Sequence, residues 1–513
     1  MPQAEVFEFL SDQATHGGCE VRRIDTHAAA VFLAGDTAYK IKRDVSFPFL
    51  DYSTLDKRRR ACLAELDINR AFAPMLYRRV VAITRDSGGR LAIGGDGEPV
   101  EWAVEMVRFD ENLTLDRIAE SRGIDDELAE QLGMIVAKMH AGAPLADAGS
   151  WLIAVEQYIE QNTAAFGNDP ALFPKDAVTR LAAKSRAALD RHRPLLLARG
   201  RSGTVRRGHG DLHLGNIVLL EGRPVPFDAI EFDPLVATGD VLYDLAFLLM
   251  DLLERRLERA ANIVLNRYFF GARQSEPYDG LAALPLFLSL RAAIRAKVTA
   301  ARLANVGARD RDSLERAAVT YFQLAIALLS PEPAMLIAVG GLSGTGKSLL
   351  ARNLAPAVQP APGALVLRSD VERKLLLNVA ETERLPEAAY HADVNAKVYK
   401  ILCEKAARIV RAGHSAIVDA VFARADERNA VAAVASSHGA AFHGLFLDAD
   451  LKTRLARVGT RIRDASDADA SVARSQETFD LGPIAWTQID ASGAANDTLM
   501  RARSALKGRH ASG

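Results

Sequence analysis

Residues 340–348 read GGLSGTGKS, set between the apolar run MLIAV and the helical stretch KSLLARNLA. This is the GxxxxGK[ST] pattern in the context it requires, a strand entering a glycine-rich turn that opens a helix. Glycines let the backbone wrap a phosphate with successive N–H groups pointing inward. The helix N-terminus adds partial positive charge. The spacing assigns Gly341, Leu342, Ser343, Gly344, Thr345, Gly346, Lys347 and Ser348 to nucleotide binding, with Lys347 reaching the β- and γ-phosphates and Ser348 holding Mg2+. The same stretch constrains the fold around it. MLIAV, ALVLRS, SAIVDAV and AFHGLFLD are apolar runs without period-2 alternation, as expected of strands buried on both faces. Helical segments separate them, which implies an α/β domain with a parallel sheet covered by helices.

The rest of the chain needs a second core, because 513 residues exceed what one core supports. Pro331-Glu332-Pro333 punctuates the helical pattern that precedes it. The expected domains are 1–330 and 333–513. Within the first, AAAVFLAGDTAYKIKR predicts two strands joined at Gly35–Asp36, and TLDKRRRACLAELDINRAF predicts a helix over 54–72. Further strands are predicted near 77–84 and 101–108. That order describes a small antiparallel sheet carrying one helix, a lobe of about residues 1–108. From about 109 to 330 the pattern is mostly helical, interrupted by a strand-rich patch at 205–229.

That patch contains GHGDLHLGN, then a hairpin-like VLLEGRPVPF, then Asp228. His209, Asp211 and Asn216 keep the H-x-D-x-x-x-x-N spacing of a kinase catalytic loop. Asp211 is the candidate base, and Asn216 and Asp228 are candidate metal ligands, two oxygens that suit a hard octahedral cation. Thr37-Ala38-Tyr39-Lys40 offers a phosphate lysine, with Lys42 a rival because residues two apart in a strand share a face. Glu65, mid-helix, is the expected partner of Lys40. A hinge near Glu105–Val107 is expected to offer backbone groups to adenine.

In the second domain, Asp370 in LRSD is expected at a strand's C-terminal end, as proton acceptor or as N-cap of the next helix. Asp419, ending AIVDA, is expected to hold Mg2+ through water, or to be a strand-end cap. RLARVGTRIRDASDAD gathers Arg454, Arg457, Arg461 and Arg463. These form either an arginine lid over the transferred phosphoryl group or a solvated helix face. Arg461 and Arg463 are the catalytic candidates among them.

On GLSGTGKS, LRSDVERK, IVDAVF and RIRDASDAD, residues 335–510 resemble small P-loop kinases such as polynucleotide kinase, gluconate kinase, chloramphenicol phosphotransferase and zeta toxins. The resemblance implies a five-stranded parallel sheet, ATP with Mg2+, and Asp370 as base. On HGDLHLGN, FDAIEF and TGDVLYDLA, the first domain resembles aminoglycoside phosphotransferases and choline-kinase-like enzymes. It implies a protein-kinase-like α+β domain in which Asp240, Asp244 and His213 brace the catalytic loop. With KIKRDVSFPFLDYSTLDKRR and LLMDL, the whole chain looks like bacterial two-domain proteins that fuse such a domain to a P-loop kinase.

The expectation is therefore an ATP- and Mg2+-dependent phosphotransferase with two sites, each acting on a small-molecule hydroxyl. Two alternatives stand beside it: a P-loop domain that senses nucleotide and regulates the first domain, or one that phosphorylates 5′-hydroxyl polynucleotide ends. Lys plus Arg (64) nearly cancels Asp plus Glu (65), and aromatics are 6%, so nucleic acid is not an expected partner. Arg291, Arg295, Lys297 and Arg302 lie on one expected helix, which reads either as an anionic acceptor pocket or as a solvated face. No apolar run approaches the roughly 20 residues of a spanning helix. MPQAEVFEFLSDQ is not a signal peptide, and Cys19, Cys62 and Cys403 are dispersed. The expected setting is cytoplasmic, without membrane.

Overall fold

The computed structural model describes residues 2–26, 28–47, 50–272, 278–305, 307–459 and 465–508. The chain forms two compact units, one of 1–168 with 193–252 and the other of 169–192 with 253–513.

The first unit opens with the helix Pro2–Ser11, which the sequence reading did not anticipate. Its Val6, Phe7 and Leu10 are buried against Phe32, Ile41, Val81 and Ile83. The strands follow as β1 (Val21–Asp25), β2 (Ala29–Ala34), β3 (Thr37–Lys42), the short ribbon β4 (Ser46–Phe47) with β5 (Leu50–Asp51), β6 (Tyr77–Arg85), β7 (Leu91–Ile93) and β8 (Glu98–Val107). Six of them form one antiparallel sheet in the order β1-β2-β3-β8-β6-β7. The helix Leu55–Phe72 starts at Thr54, whose hydroxyl accepts the Lys57 N–H at 3.3 Å, an N-cap. Beyond the helices that follow, β9 (Val205–Arg207), β10 (Ile217–Leu220), β11 (Arg223–Pro226) and β12 (Thr238–Asp240) make two small antiparallel pairs, β10-β11 and β12-β9. The turn between β10 and β11 puts Glu221 and Gly222 at φ 49° and 74°.

The second unit holds a five-stranded parallel sheet of β13 (Met335–Gly341), β14 (Leu365–Arg368), β15 (Ala416–Asp419), β16 (Ala441–Asp448) and β17 (Thr487–Asp490), ordered β14-β15-β13-β16-β17. β13, β15 and most of β16 are buried, as unalternating apolar runs predict. β17 was not picked out because TQID carries little apolar signal and alternates in burial at the sheet edge.

The opposite edge strand, β14, is covered by helix Glu258–Gly271 of the same unit. Val366 N–H donates to Asn266 Oδ1 at 2.8 Å, while Asn266 Nδ2 and Asn262 Nδ2 donate to Ala364 O at 3.1 and 3.0 Å. Two amides thereby satisfy backbone groups that an edge strand leaves open. Replacing Asn266 by leucine in the full chain leaves Val366 N–H unpaired. It should destabilise this unit by about 1–3 kcal/mol, read from denaturant unfolding.

Helix Leu284–Ala301 carries Arg291, Arg295 and Lys297, and Arg302 follows it as its C-cap. Arg291 is buried, and the Arg295 guanidinium sits 5.6 Å from the Tyr321 ring centre. The basic stretch is thus not a uniformly solvated face. Among the described residues, no helix is long and apolar enough to cross a membrane.

Candidate active sites

In the first unit, β3 places Lys40 and Lys42 on one face, and both turn to the helix Leu55–Phe72. Lys40 Nζ pairs with Glu65 Oε1 at 2.7 Å, and Lys42 Nζ lies 2.5 Å from Glu65 Oε2. Glu65 is fully buried. Burial opposes its charge, yet the two lysines outweigh burial and hold its carboxyl below the usual range. Lys40 also pairs with Asp228. For Lys40 burial again opposes the charged form, and Asp228 and Glu65 reverse that, raising it well above an ordinary lysine.

The loop 208–216 is hung on Asp244. Its Oδ2 accepts His209 N–H and its Oδ1 accepts Gly210 N–H, both at 2.9 Å. His140 Nε2 lies 3.1 Å from the same carboxylate. Gly210 sits at φ 81°, where a side chain is disfavoured. His209 is buried with its Nε2 2.9 Å from Phe227 O, and burial lowers its affinity for a second proton, so it is a neutral strut. Asp240 receives Arg199 Nε and Nη2 at 2.7 and 2.8 Å. His213 Nδ1 accepts Gly215 N–H at 3.1 Å, and Asp251 accepts Leu214 N–H at 2.9 Å.

These struts leave two oxygen groups side by side. Asn216 Nδ2 donates to Asp211 Oδ2 at 3.0 Å, which frees Asn216 Oδ1 to serve as an oxygen ligand. Asn216 O accepts Phe227 N–H at 2.9 Å, so Asp228 follows directly beside Asn216. Asp228 adopts φ 61°, uncommon outside glycine, and its N–H donates to Tyr77 Oη at 3.1 Å. An amide oxygen and a carboxylate on rigid turns are a hard donor set that fits Mg2+. Of the expected hinge, Glu105 directs its side chain to Arg79 Nε at 2.9 Å, and Val107 N–H is taken by Leu76 O at 2.8 Å.

In the second unit, β13 runs into the turn at 341–346, and helix Lys347–Leu354 begins with Lys347. Gly341, Gly344 and Gly346 have φ 139°, 88° and 94°. Ser343 N–H donates to Gln476 Oε1 at 2.7 Å, and Lys347 Nζ to Leu342 O at 3.1 Å. Ser348 Oγ donates to Asp419 Oδ2 at 2.5 Å at the end of β15. A hydroxyl and a carboxylate, both hard oxygens, again fit Mg2+. Burial pushes the Asp419 carboxyl above its usual range, only partly offset by Arg368, Lys347 and Ser348. The folded chain therefore binds that proton more tightly than the unfolded one. The resulting stability is present at low pH and is lost as pH rises through the folded value. Asp419→Asn should raise the Tm of the ligand-free chain at pH 8 and weaken magnesium-dependent nucleotide binding roughly 10–100-fold, both read from thermal unfolding with and without Mg–nucleotide.

Asp370 is not at a strand end. β14 stops at Arg368, and Asp370 is the second residue of helix Ser369–Leu376, whose N-cap is Arg368. One turn on, Arg373 shares its face. Both line a cleft of about 1580 Å3 with the phosphate loop and Asp419. Arg373 was missed by sequence reading. It is 5% exposed, donates Nη1 to Ala389 O at 2.8 Å and lies 4.7 Å from the Tyr390 ring centre. Among the described residues its Nε has no hydrogen-bond partner. The only signal for it was its three-residue spacing from Asp370. Asp467 ties this wall together, accepting Tyr390 Oη at 2.7 Å, Leu385 N–H at 3.0 Å and Lys374 Nζ at 3.1 Å.

Two of the four clustered arginines lie in the described residues. Arg454 is buried and donates to Ser343 O and Ala473 O, both at 2.9 Å, and Arg457 donates to Ala491 O and Gly493 O, both at 2.7 Å. Arg454 thus braces loops from inside the unit and is no lid, while Arg457 braces loops and also lines the cleft beside the phosphate loop. Arg461 and Arg463 lie outside the described residues.

Residues 58–281 match the phosphotransferase enzyme family, and residues 336–480 match an AAA domain model. Uncharacterized proteins of Mycobacterium bovis and Mycobacterium tuberculosis are 28% identical over 476 residues, spanning 89% of this chain and 90% of theirs. A choline/ethanolamine kinase family protein from Mesorhizobium loti covers 64% of this chain and 99% of its own, at 14% identity and TM-score 0.36. A gluconokinase from Sinorhizobium meliloti covers 35% and 98%, at 18% identity and TM-score 0.26.

Proposed function

From the premise that this chain is a phosphotransferase built of two kinase-type domains, we propose that it performs two ATP- and Mg2+-dependent phosphoryl transfers, each to a hydroxyl of a small molecule. The observation that carries the reading is a duplicated set of groups. Each unit joins one fixed lysine to a pair of hard oxygen ligands: Lys40 with Asn216 and Asp228, and Lys347 with Ser348 and Asp419.

Bound ATP with Mg2+ supplies the transferable γ-phosphoryl group and spreads its charge. The chain's own residues do the rest. Asp211, oriented by Asn216, accepts the proton of the attacking hydroxyl in the first unit. Lys40 and Lys347 hold phosphate oxygens, while Asn216, Asp228 and Ser348 take the metal, with Asp419 behind Ser348. Asp370 accepts the acceptor's proton in the second unit, and Arg373 beside it orients the acceptor. Arg461 and Arg463 remain candidates for steadying the moving phosphoryl group.

Mixing the full chain with ATP, Mg2+ and a library of hydroxyl metabolites, followed by mass analysis, tests this. Gains of one phosphoryl group should divide into a set lost with Lys40→Ala and a set lost with Lys347→Ala. If Lys347→Ala changes only the rate of the first set, the P-loop unit is a nucleotide sensor. If neither variant removes any product, the two-site reading fails.

A further inference from the structure

His213 braces the turn 213–216, and its geometry gives it a second task. Its Nδ1 accepts Gly215 N–H at 3.1 Å. A ring nitrogen that accepts an N–H carries no proton, so the ring's proton is on Nε2. That nitrogen lies 3.5 Å from Asp211 Oδ2, the same oxygen that receives Asn216 Nδ2 at 3.0 Å. Two N–H groups thus address one oxygen of the candidate base, one at bonding distance and one at the long end of reach.

The imidazole is fixed where it stands. The Phe247 ring, from helix Val241–Glu254, meets it edge-on with centres 5.5 Å apart. Leu212 and Leu214, its neighbours in the chain, are fully buried. Gly215 completes the fit. A Cβ on residue 215 would lie 3.0 Å from His213 Cε1 and 3.1 Å from Nδ1, so glycine is what lets this N–H close on the ring. The Asp211 and His213 side chains are 38% and 18% exposed. An acceptor can therefore reach the base, while less water competes for the imidazole N–H.

Asn216 has two duties in the catalytic reading. Its Nδ2 holds Asp211 and its Oδ1 is offered to the metal. The amide plane must satisfy the metal, and a base held by that amide alone would turn with it. His213 holds no other part of that reading, and its ring is set by Gly215 and Phe247. At 3.5 Å its contact with Asp211 is loose in the ligand-free chain, and catalytic hydrogen bonds commonly tighten only when substrate arrives.

Resting on the first-unit reading above, we propose that His213 is a positioning residue for Asp211: Nδ1 anchors the ring to the loop, and Nε2–H holds the carboxylate in line with the acceptor's hydroxyl, independently of the metal.

The two nitrogens can be tested separately in the full chain carrying Lys347→Ala, so that only the first site works. Transfer from ATP to the library of hydroxyl metabolites is followed beside calorimetry with Mg2+ and the non-hydrolysable analogue AMPPNP. Asparagine can place its Oδ1 near the Nδ1 position and accept Gly215 N–H, but it ends short of Asp211. His213→Asn should keep the parent's Tm and bind the analogue within about threefold, while kcat falls on the order of tenfold at unchanged KM for ATP. Glutamine reaches Asp211 with its amide N–H but withdraws the close acceptor from Gly215. His213→Gln should lower Tm and keep most of the parent's kcat. A His213→Asn chain that transfers at the parent's rate overturns the proposal. So does a joint fall of kcat, affinity and Tm in both variants, which is the mark of a loop brace alone. If the parent phosphorylates no library compound, or Lys40→Ala phosphorylates the same ones, the first-unit reading itself fails and the role of His213 falls with it.

Discussion

An Asp211→Asn chain should transfer phosphate at its first site roughly 1000-fold more slowly than wild type while binding Mg–nucleotide within about threefold of it. Asparagine matches aspartate in shape, so the loop around it has no reason to move. That loop is held by groups other than Asp211: the Asp244 carboxylate on two N–H groups, Asp251 on Leu214 N–H, and His209 on Phe227 O. What disappears is the carboxylate beside Asn216 that we propose as the proton acceptor. The second site shares none of these residues and should be unaffected. Radiolabel transfer at saturating acceptor, beside calorimetry with a non-hydrolysable nucleotide, checks both halves. Equal loss of rate and affinity would show that Asp211 holds the loop together and does not take the proton.

Gly344→Ala should remove the second activity, with nucleotide affinity falling roughly 100–1000-fold. Gly344 sits at φ 88°, and a Cβ there would lie 2.6 Å from Arg454 O and 2.9 Å from Arg454 Cα. The obstacle is backbone and cannot rotate away. Nor can Arg454 retreat, because its buried guanidinium is bonded to Ser343 O and Ala473 O and paired with Glu477. Gly346 makes a useful contrast. Its φ is 94°, but a Cβ there meets nothing within 4 Å, so Gly346→Ala carries only backbone strain and should do less damage. Lys347→Ala should match Gly344→Ala in lost transfer with a smaller fall in Tm, since it removes a charge and its bond to Leu342 O but presses no Cβ against Arg454. Scanning calorimetry with transfer assays separates the three. Wild-type nucleotide affinity in Gly344→Ala would mean that the loop can shift away from Arg454.

Much of this was legible because it is written in local pattern. The two strands meeting at Gly35–Asp36, the helix over 54–72 and the phosphate loop each follow from a turn pair, a periodicity or a motif of contiguous residues. The pairing of Lys40 with Glu65 was also readable, since the residue types and their elements leave few candidates. What escaped came from packing. Helix Pro2–Ser11 carries three buried apolar residues but no motif. β17 is too short and polar to announce itself, and it forms because β16 offers an open edge. Asp370 moved from a strand end to the first turn of a helix because β14 stops after four residues, and nothing in LRSD marks that stop. Arg454 and Arg457 looked like lid residues because arginine clusters usually reach solvent or ligand. Only the fold showed backbone carbonyls waiting for them.

Taken alone, the amino-acid sequence determined the chemistry each end of this chain is equipped for, because a phosphate loop and a catalytic loop depend on residue identity at fixed short spacing. Tertiary structure decided how the charges are shared. Lys40 and Lys42 are equivalent by strand alternation, and the sequence alone left either as the candidate phosphate lysine. The hairpin β10-β11 delivers Asp228 to one and Glu231 to the other from far along the chain, leaving the first pair partly exposed and burying the second. Such a distinction rests on desolvation and on partners remote in sequence, which no spacing rule encodes.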